Sequence, residues 1–227
     1  KPLAVAVALA FAAPLSLVAV NAGAAVLEEL VVTAQKREES IQDVGIAISA
    51  YTGDQLSQLG WTNAQQVTAM APGVQTIQPN GEANYAVAIR GVVANDFTTN
   101  VESPVALYID EVYISQMSGA GFMLYDMERV EILRGPQGTL FGRNATGGAI
   151  LMQTSQPSTE PAGEVRMRLG THVSANVRGY VTAGLGEMFA LDAAGYYSVG
   201  DGTWDNIATG EDNWARYRKR AIRVGAG

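Results

Sequence analysis

Few residues in this chain have the type and spacing to do chemistry. The densest cluster is residues 134–148, RGPQGTLFGRNATGG, where Gly135, Gly138, Gly142, Gly147 and Gly148 fall within fourteen positions beside Arg134 and Arg143. A glycine-rich loop with arginines suggests a phosphate cradle. The spacing does not fit one: there is no G-x-G-x-x-G, and Gly142 and Gly147 are followed by Gly148 where a P-loop needs Lys and then Ser or Thr. Asn144, Ala145 and Thr146 match a glycosylation acceptor, a pattern too short to decide anything. His172 is the sole histidine and cysteine is absent, so there is no two-histidine metal set, no disulfide framework and no thiol nucleophile. Asp110 and Glu111 are adjacent; on a strand they face opposite sides and on a turn they are solvated, so they are not the facing carboxyl pair of a glycosidase. No G-x-S-x-G nucleophile turn occurs. The expectation is a protein that is not an enzyme, with no cofactor and no metal site.

Charge narrows the partners. The chain carries 15 Lys and Arg against 22 Asp and Glu, a net −7. Nucleic acid is therefore not an expected partner, because phosphate binding wants clustered cations and the one basic run, residues 216–223, has no groove-reading motif. Lys1 precedes an apolar stretch, residues 3–20, that ends in small residues around Ala22, Gly23 and Ala24. That is the pattern of a secretory signal peptide over 1–24, with a transmembrane helix as the competing reading. Losing it removes Lys1 and leaves 14 basic against 22 acidic residues, a net −8.

The elements that position the arginines and glycines come next. Residues 127–134 alternate, with Val130 and Ile132 on one face and Arg129 and Glu131 on the other. Residues 46–49, 74–77 and 85–90 read as strands. Residues 54–59 and 63–70 read as short helices, the second with Thr62 as N-cap and Pro72-Gly73 as its stop. Residues 105–109 and 112–115 flank Asp110-Glu111 as a hairpin, although a two-residue primed turn prefers Gly where Glu111 stands. Residues 40–157 thus form a small mixed sheet with short helices, an α+β domain of ordinary size, and 158–163 form a linker. Beyond it the period becomes two. Val165, Met167 and Leu169 oppose Glu164, Arg166 and Arg168; residues 173–185 and 189–199 alternate likewise, with Asp192 on the polar side; residues 217–224 are a fourth run, dense in Arg, that alternates poorly. Alternation in runs of about ten residues between short turns is the pattern of antiparallel transmembrane β-barrel strands, with a soluble sheet wet on one face as the local alternative. Trp204 and Trp214 are candidates for an aromatic girdle. Four strands in residues 164–227 cannot close a barrel, so the barrel is incomplete and the chain reads as truncated at both ends.

Residues 128–150, ERVEILRGPQGTLFGRNATGGAI, resemble the signature near the end of the plug domain in TonB-dependent outer-membrane receptors. The resemblance extends to LYIDEVY at 107–113, IRG at 89–91 and VVTAQKR at 31–37; it covers 28–157 well and 163–227 more loosely. It implies a plug domain followed by barrel strands in the bacterial outer membrane. It further implies energised uptake of a scarce nutrient of the ferric siderophore, cobalamin or oligosaccharide type. The segment Glu29, Leu30, Val31, Val32, Thr33 and Ala34 corresponds to the TonB box, which adds as a strand to a TonB-type periplasmic energy transducer. The pattern itself, a short apolar extended segment at a terminus, suits strand addition to a partner's sheet edge, with the first strand of a globular domain as the alternative. Little sequence separates it from the signal peptide, so transport without transcriptional signalling is expected.

Arg90, Arg129, Glu131, Arg134 and Arg143 are assigned to the interface between plug and polar barrel lumen, against plain surface charge as the alternative. Asn95, Asp96, Phe97, Thr98 and Asn100, in the polar loop 94–103, are assigned to the small-molecule substrate; loops 78–84 and 116–122 are further outward-facing candidates. The other partner is outer-membrane lipid, through the barrel. The competing function is an exported soluble binding protein with an α+β domain.

Overall fold

The computed structural model describes residues 30–78, 84–94, 96–98, 100–116, 124–171, 173–186, 188–202, 204–214 and 216–227. The expected signal peptide, Glu29, Asn95, His172 and most of the loops 78–84 and 116–122 lie outside them.

The chain opens with β1 (Val31–Val32), paired antiparallel to β2 (Glu39–Ser40). Then follow β3 (Ala47–Thr52), α1 (Gly53–Gln58), α2 (Ala64–Met70), β4 (Val74–Ile77), β5 (Ala86–Ile89), β6 (Val105–Ile109), β7 (Val112–Tyr113), β8 (Met127–Arg134), α3 (Gly138–Phe141) and β9 (Gly148–Thr154). Strands β3-β8-β9-β6-β7 make one five-stranded sheet in that order, with β6 and β9 parallel and the other neighbours antiparallel. β4 and β5 form a separate hairpin.

α1 and α2 each start on a reciprocal cap. Thr52 accepts from the Gln55 amide while the Gln55 side chain accepts from the Thr52 amide. Asn63 does the same with Gln66, satisfying amides that have no intrahelical partner. Asn63, not Thr62, is therefore the cap of α2. Thr62 precedes it and donates its own amide to Gln66 Oε1 at 2.7 Å.

The sheet is covered on both faces. On one, Val130 and Ile132 of β8 join Val105, Leu107, Ile150 and Met152 under Leu56, Val67, Val87 and Ile89. On the other, Leu133, Ala106 and Ala149 pack under Val32, Ala34, Phe141 and Ala145. The second face of β8, which carries Arg129 and Glu131, is thus roofed by the N-terminal tail and the glycine-rich segment. That segment folds back between β8 and β9: Gly135 N donates to Gly147 O, and Gln137 N to Ala145 O, at 3.0 and 2.8 Å. At Gly148, φ is +152°, and a Cβ would stand 2.2 Å from the Leu133 carbonyl oxygen. Only glycine permits that approach.

The β6–β7 hairpin forms with two residues in the turn, since Ile109 pairs with Val112. Asp110 and Glu111 both have positive φ, at 46° and 67°, as a type I′ turn requires. The Asp110 carboxylate holds the turn by accepting from Thr154 N, Thr154 Oγ1 and Gln153 Nε2 at 2.8, 2.8 and 3.1 Å.

After residues 155–161 comes a second sheet of β10 (Ala162–Gly170), β11 (Ser174–Gly184), β12 (Ala190–Gly200) and β15 (Tyr217–Ala226), every pair antiparallel. A small hairpin, β13 (Trp204–Asn206) and β14 (Glu211–Trp214), stands between β12 and β15 and pairs Trp204 with Trp214. Only the backbone of those two tryptophans is described. The two faces of the four-stranded sheet differ as the alternation requires: Val165, Met167, Leu169, Ile222 and Val224 are at least two-thirds exposed, whereas Thr182, Asp192, Ala194, Tyr196 and Ser198 are buried. The buried face is turned toward the N-terminal domain.

Candidate functional site

Two sites emerge: a knot that holds the tail, and a polar seam between the N-terminal domain and the four-stranded sheet.

The knot is centred on Glu131. Its Oε1 accepts from Thr33 N at 2.8 Å, Thr33 Oγ1 at 3.3 Å and Arg129 Nε at 2.9 Å, and Arg129 Nη2 donates to Thr33 Oγ1 at 3.2 Å. Arg129 also pairs with Glu128. The Glu131 side chain is 1% exposed and its Oε2 has no partner. A buried carboxylate is expensive unless paired, so Arg129 and Thr33 together make Glu131 tolerable inside the fold. The neighbouring tail residues pack apolar groups: Val32 and Ala34 are both fully buried, Leu30 is half-buried and Val31 is exposed. A cavity of about 240 Å³ adjoins the knot, lined by Thr33, Lys36, Glu38, Tyr108 and Gln153.

The seam uses residues that sequence reasoning missed. Arg168 donates to Gly60 O and Ser57 O at 3.2 and 3.3 Å, and Arg178 donates to Ser57 Oγ. α1 has no basic residue in its own last turn, and these arginines supply the positive charge that a helix C-terminus favours. Arg166 pairs with Asp54 at 3.5 Å. At the other end, Arg223 bonds both Asp126 and Asp192, and donates to Ser155 O at 3.1 Å; both carboxyl side chains are 4% exposed. Tyr125 and Tyr196 make a tilted ring contact across the seam, with centroids 5.9 Å apart, and burial pushes the Tyr125 phenol above its ordinary pKa. A cavity of about 430 Å³ runs along the seam, bounded by Asp54, Ser57, Tyr125, Arg166, Arg178 and Tyr180. The signal for these contacts was the polar register of the strands, but the register alone names no partner.

The charged residues expected at the plug–barrel interface are dispersed. Glu131 does not face outward, because the tail covers it. Arg129 serves the same knot. Arg134 donates to Pro72 O and Ile48 O at 3.1 and 3.2 Å, which ties the β3–β8 edge to the end of α2. Arg143 is largely exposed and pairs with Glu102 at 2.8 Å. Arg90 is exposed, with φ at 52°. Of the residues assigned to substrate, Asp96, Thr98 and Asn100 are exposed and Phe97 is half-buried. The Thr98 amide donates to Asp96 Oδ1 at 3.0 Å and holds that carboxyl below its ordinary pKa. Among the described residues, no three His, Cys, Asp or Glu side chains gather as metal ligands would.

Residues 40–149 match the family model of the TonB-dependent receptor plug domain. The pesticin receptor of Yersinia pestis is 34% identical across 81% of this chain and 27% of its own length. The ferrichrome outer membrane transporter/phage receptor of Escherichia coli K12 is 28% identical across 61% of this chain and 18% of its own. Among solved structures, the ferric yersiniabactin uptake receptor FyuA from Yersinia pestis superposes with a TM-score of 0.72 at 27% identity, covering 80% of this chain and 28% of that one. The chain spans between 18% and 28% of the length of these relatives.

Proposed function

Because this chain belongs to the TonB-dependent receptors of the Gram-negative outer membrane, we propose that it supplies the plug and first barrel strands of a receptor that imports a scarce small molecule. Residues 29–34 couple uptake to a TonB-type transducer. The observation that carries the reading is the seam: the strands turn an arginine-bearing polar face to the N-terminal domain and an apolar face away from it. A cork in a water-lined lumen within lipid needs that division. A soluble binding protein would have no use for an exposed row of Val165, Met167 and Leu169.

Ferric siderophores are the substrate class to test first, since the relatives include receptors named for ferric yersiniabactin and ferrichrome. Substrate binding at the outer loops shifts the population of tail conformations, and the transducer captures the released tail by strand addition. The test is uptake of a radiolabelled ferric chelate by cells carrying the whole receptor. Accumulation that needs both receptor and transducer is expected. Accumulation that persists without the transducer would refute the coupling, and the absence of binding by any ferric chelate would refute the substrate class.

A further inference from the structure

We infer that Glu131 is a built-in competitor of the partner strand: its carboxylate caps the tail-edge donor that strand addition uses, and the tail becomes available only when that bond breaks. The inference rests on the reading of residues 29–34 as the strand offered to the transducer.

The geometry begins with the two edges of the tail. Leu30 O accepts from Ile41 N at 2.9 Å, and Val32 is in register with Glu39. Residues 30 and 32 therefore turn their backbone groups toward the β2 side. By alternation along an extended strand, residue 33 turns its amide to the opposite edge. That edge is the open one, where another chain's strand would add. The Thr33 amide is not free there: it donates to Glu131 Oε1 at 2.8 Å. A second strand cannot take the same donor while that bond stands.

The competitor is strong because it is charged and dry. A carboxylate bonded to a backbone amide makes a shorter, stronger contact than a neutral carbonyl does. Arg129 holds Glu131 in place from the side through its Nε and steadies Thr33 Oγ1 through its Nη2. Meanwhile Val32 and Ala34 anchor the tail in the second core. Undocking exposes those apolar groups and also strips Glu131 of its amide and hydroxyl donors. The two penalties fall together, so the tail leaves as a unit. With Oε2 already unpartnered, Glu131 has no second donor in the fold to fall back on among the described residues, and the Arg129 pair alone must then carry it.

The test uses the full-length receptor. These 227 residues contain no cysteine, so Val32→Cys is a single thiol in this region, buried while the tail is docked. Its labelling rate by a water-soluble maleimide reads undocking. Glu131→Gln keeps the shape and removes the charge. The expected result is labelling of position 32 accelerated about tenfold or more, with no change in a separate Ala149→Cys reporter buried in the same core. Glu102→Gln, which removes the partner of the exposed Arg143, leaves both rates as they were. An unchanged rate at position 32 in Glu131→Gln overturns the inference, as does rapid labelling there in the parent. If Glu131→Gln opens position 149 as well, Glu131→Asp carries the test: its shorter carboxylate speeds labelling at 32 alone if Glu131 is the latch, and does not if it is not. Capture of the transducer's periplasmic domain separates the two readings. A tail freed at position 32 with no gain in capture refutes the transducer reading and leaves the latch standing; a tail that stays docked refutes the latch.

Discussion

Arg223 on β15 bonds Asp126, a residue 97 positions earlier that sits just before β8, and the same guanidinium bonds Asp192 on the neighbouring strand. One cation thus joins the N-terminal domain to the strand sheet and settles two carboxylates that are both nearly buried. Removing the cation is worse than never having had the cluster, because two uncompensated charges remain. Arg223→Met is expected to destabilise the seating of the N-terminal domain by about 3–5 kcal/mol, measured as a lowered unfolding midpoint and earlier proteolysis of that domain. Asp126→Asn combined with Asp192→Asn and Arg223→Met should recover most of the loss. A triple variant no better than Arg223→Met would show that the cluster is not an electrostatic unit.

Gly148 gives the second prediction. With φ at +152° and the Leu133 carbonyl oxygen 2.2 Å from where a Cβ would stand, alanine must move the backbone of two adjacent strands. Gly148→Ala should cost about 3 kcal/mol or more, read as lost receptor accumulation or a depressed unfolding midpoint. Gly138→Ala, where nothing lies within 4 Å, should fall within about 1 kcal/mol of the parent.

These two cases mark how far the sequence could be read. The glycine cluster announced itself, and phosphate binding could be set aside on spacing; that the glycines serve a fold-back between β8 and β9 needed the partner strand. Strand and helix positions were legible because period two and period 3.6 are local properties. The cap of α2 was displaced by one residue because Thr62 and Asn63 are both capping types, and only the Gln66 geometry chooses between them. Alternation puts Glu131 on the face opposite Val130 and Ile132, and the family resemblance turns that face to a polar wall; what roofs it is a tail about a hundred residues away. Arg223 lies in a basic run, and its partners Asp126, Ser155 and Asp192 come from three separate places in the chain. Contacts of that kind are set by tertiary topology, which alternation does not encode.

The β6–β7 turn gives the third prediction. Asp110 accepts three hydrogen bonds from Gln153 and Thr154, so Asp110→Ala removes charge-assisted bonds and leaves donors unmet. A loss of about 2 kcal/mol is expected in thermal or denaturant unfolding of the N-terminal domain. A change under about 0.5 kcal/mol would show that the turn is held by its backbone alone.

The exposed apolar face gives the fourth. Val165→Arg places a cation beside Met167 on the exposed apolar face that also carries Leu169, Ile222 and Val224, the side that the uptake reading assigns to lipid. Such substitutions in membrane barrels are unfavourable by about 2–4 kcal/mol at mid-depth, so folding of the whole receptor into lipid vesicles should be impaired. Equal folding yields for Val165→Arg and the parent would place that face in water or against protein.

The central claim is that the tail beginning at Leu30 is a strand lent to another protein. Its most direct measurement is capture of the full-length receptor by the periplasmic domain of a TonB-type transducer, with and without Val31→Pro, which deletes a backbone donor on the tail's open edge and fixes φ. The account predicts capture by the parent and at least a tenfold weaker dissociation constant for Val31→Pro. Equal affinities for the two, or no capture of the parent with substrate bound, would contradict it.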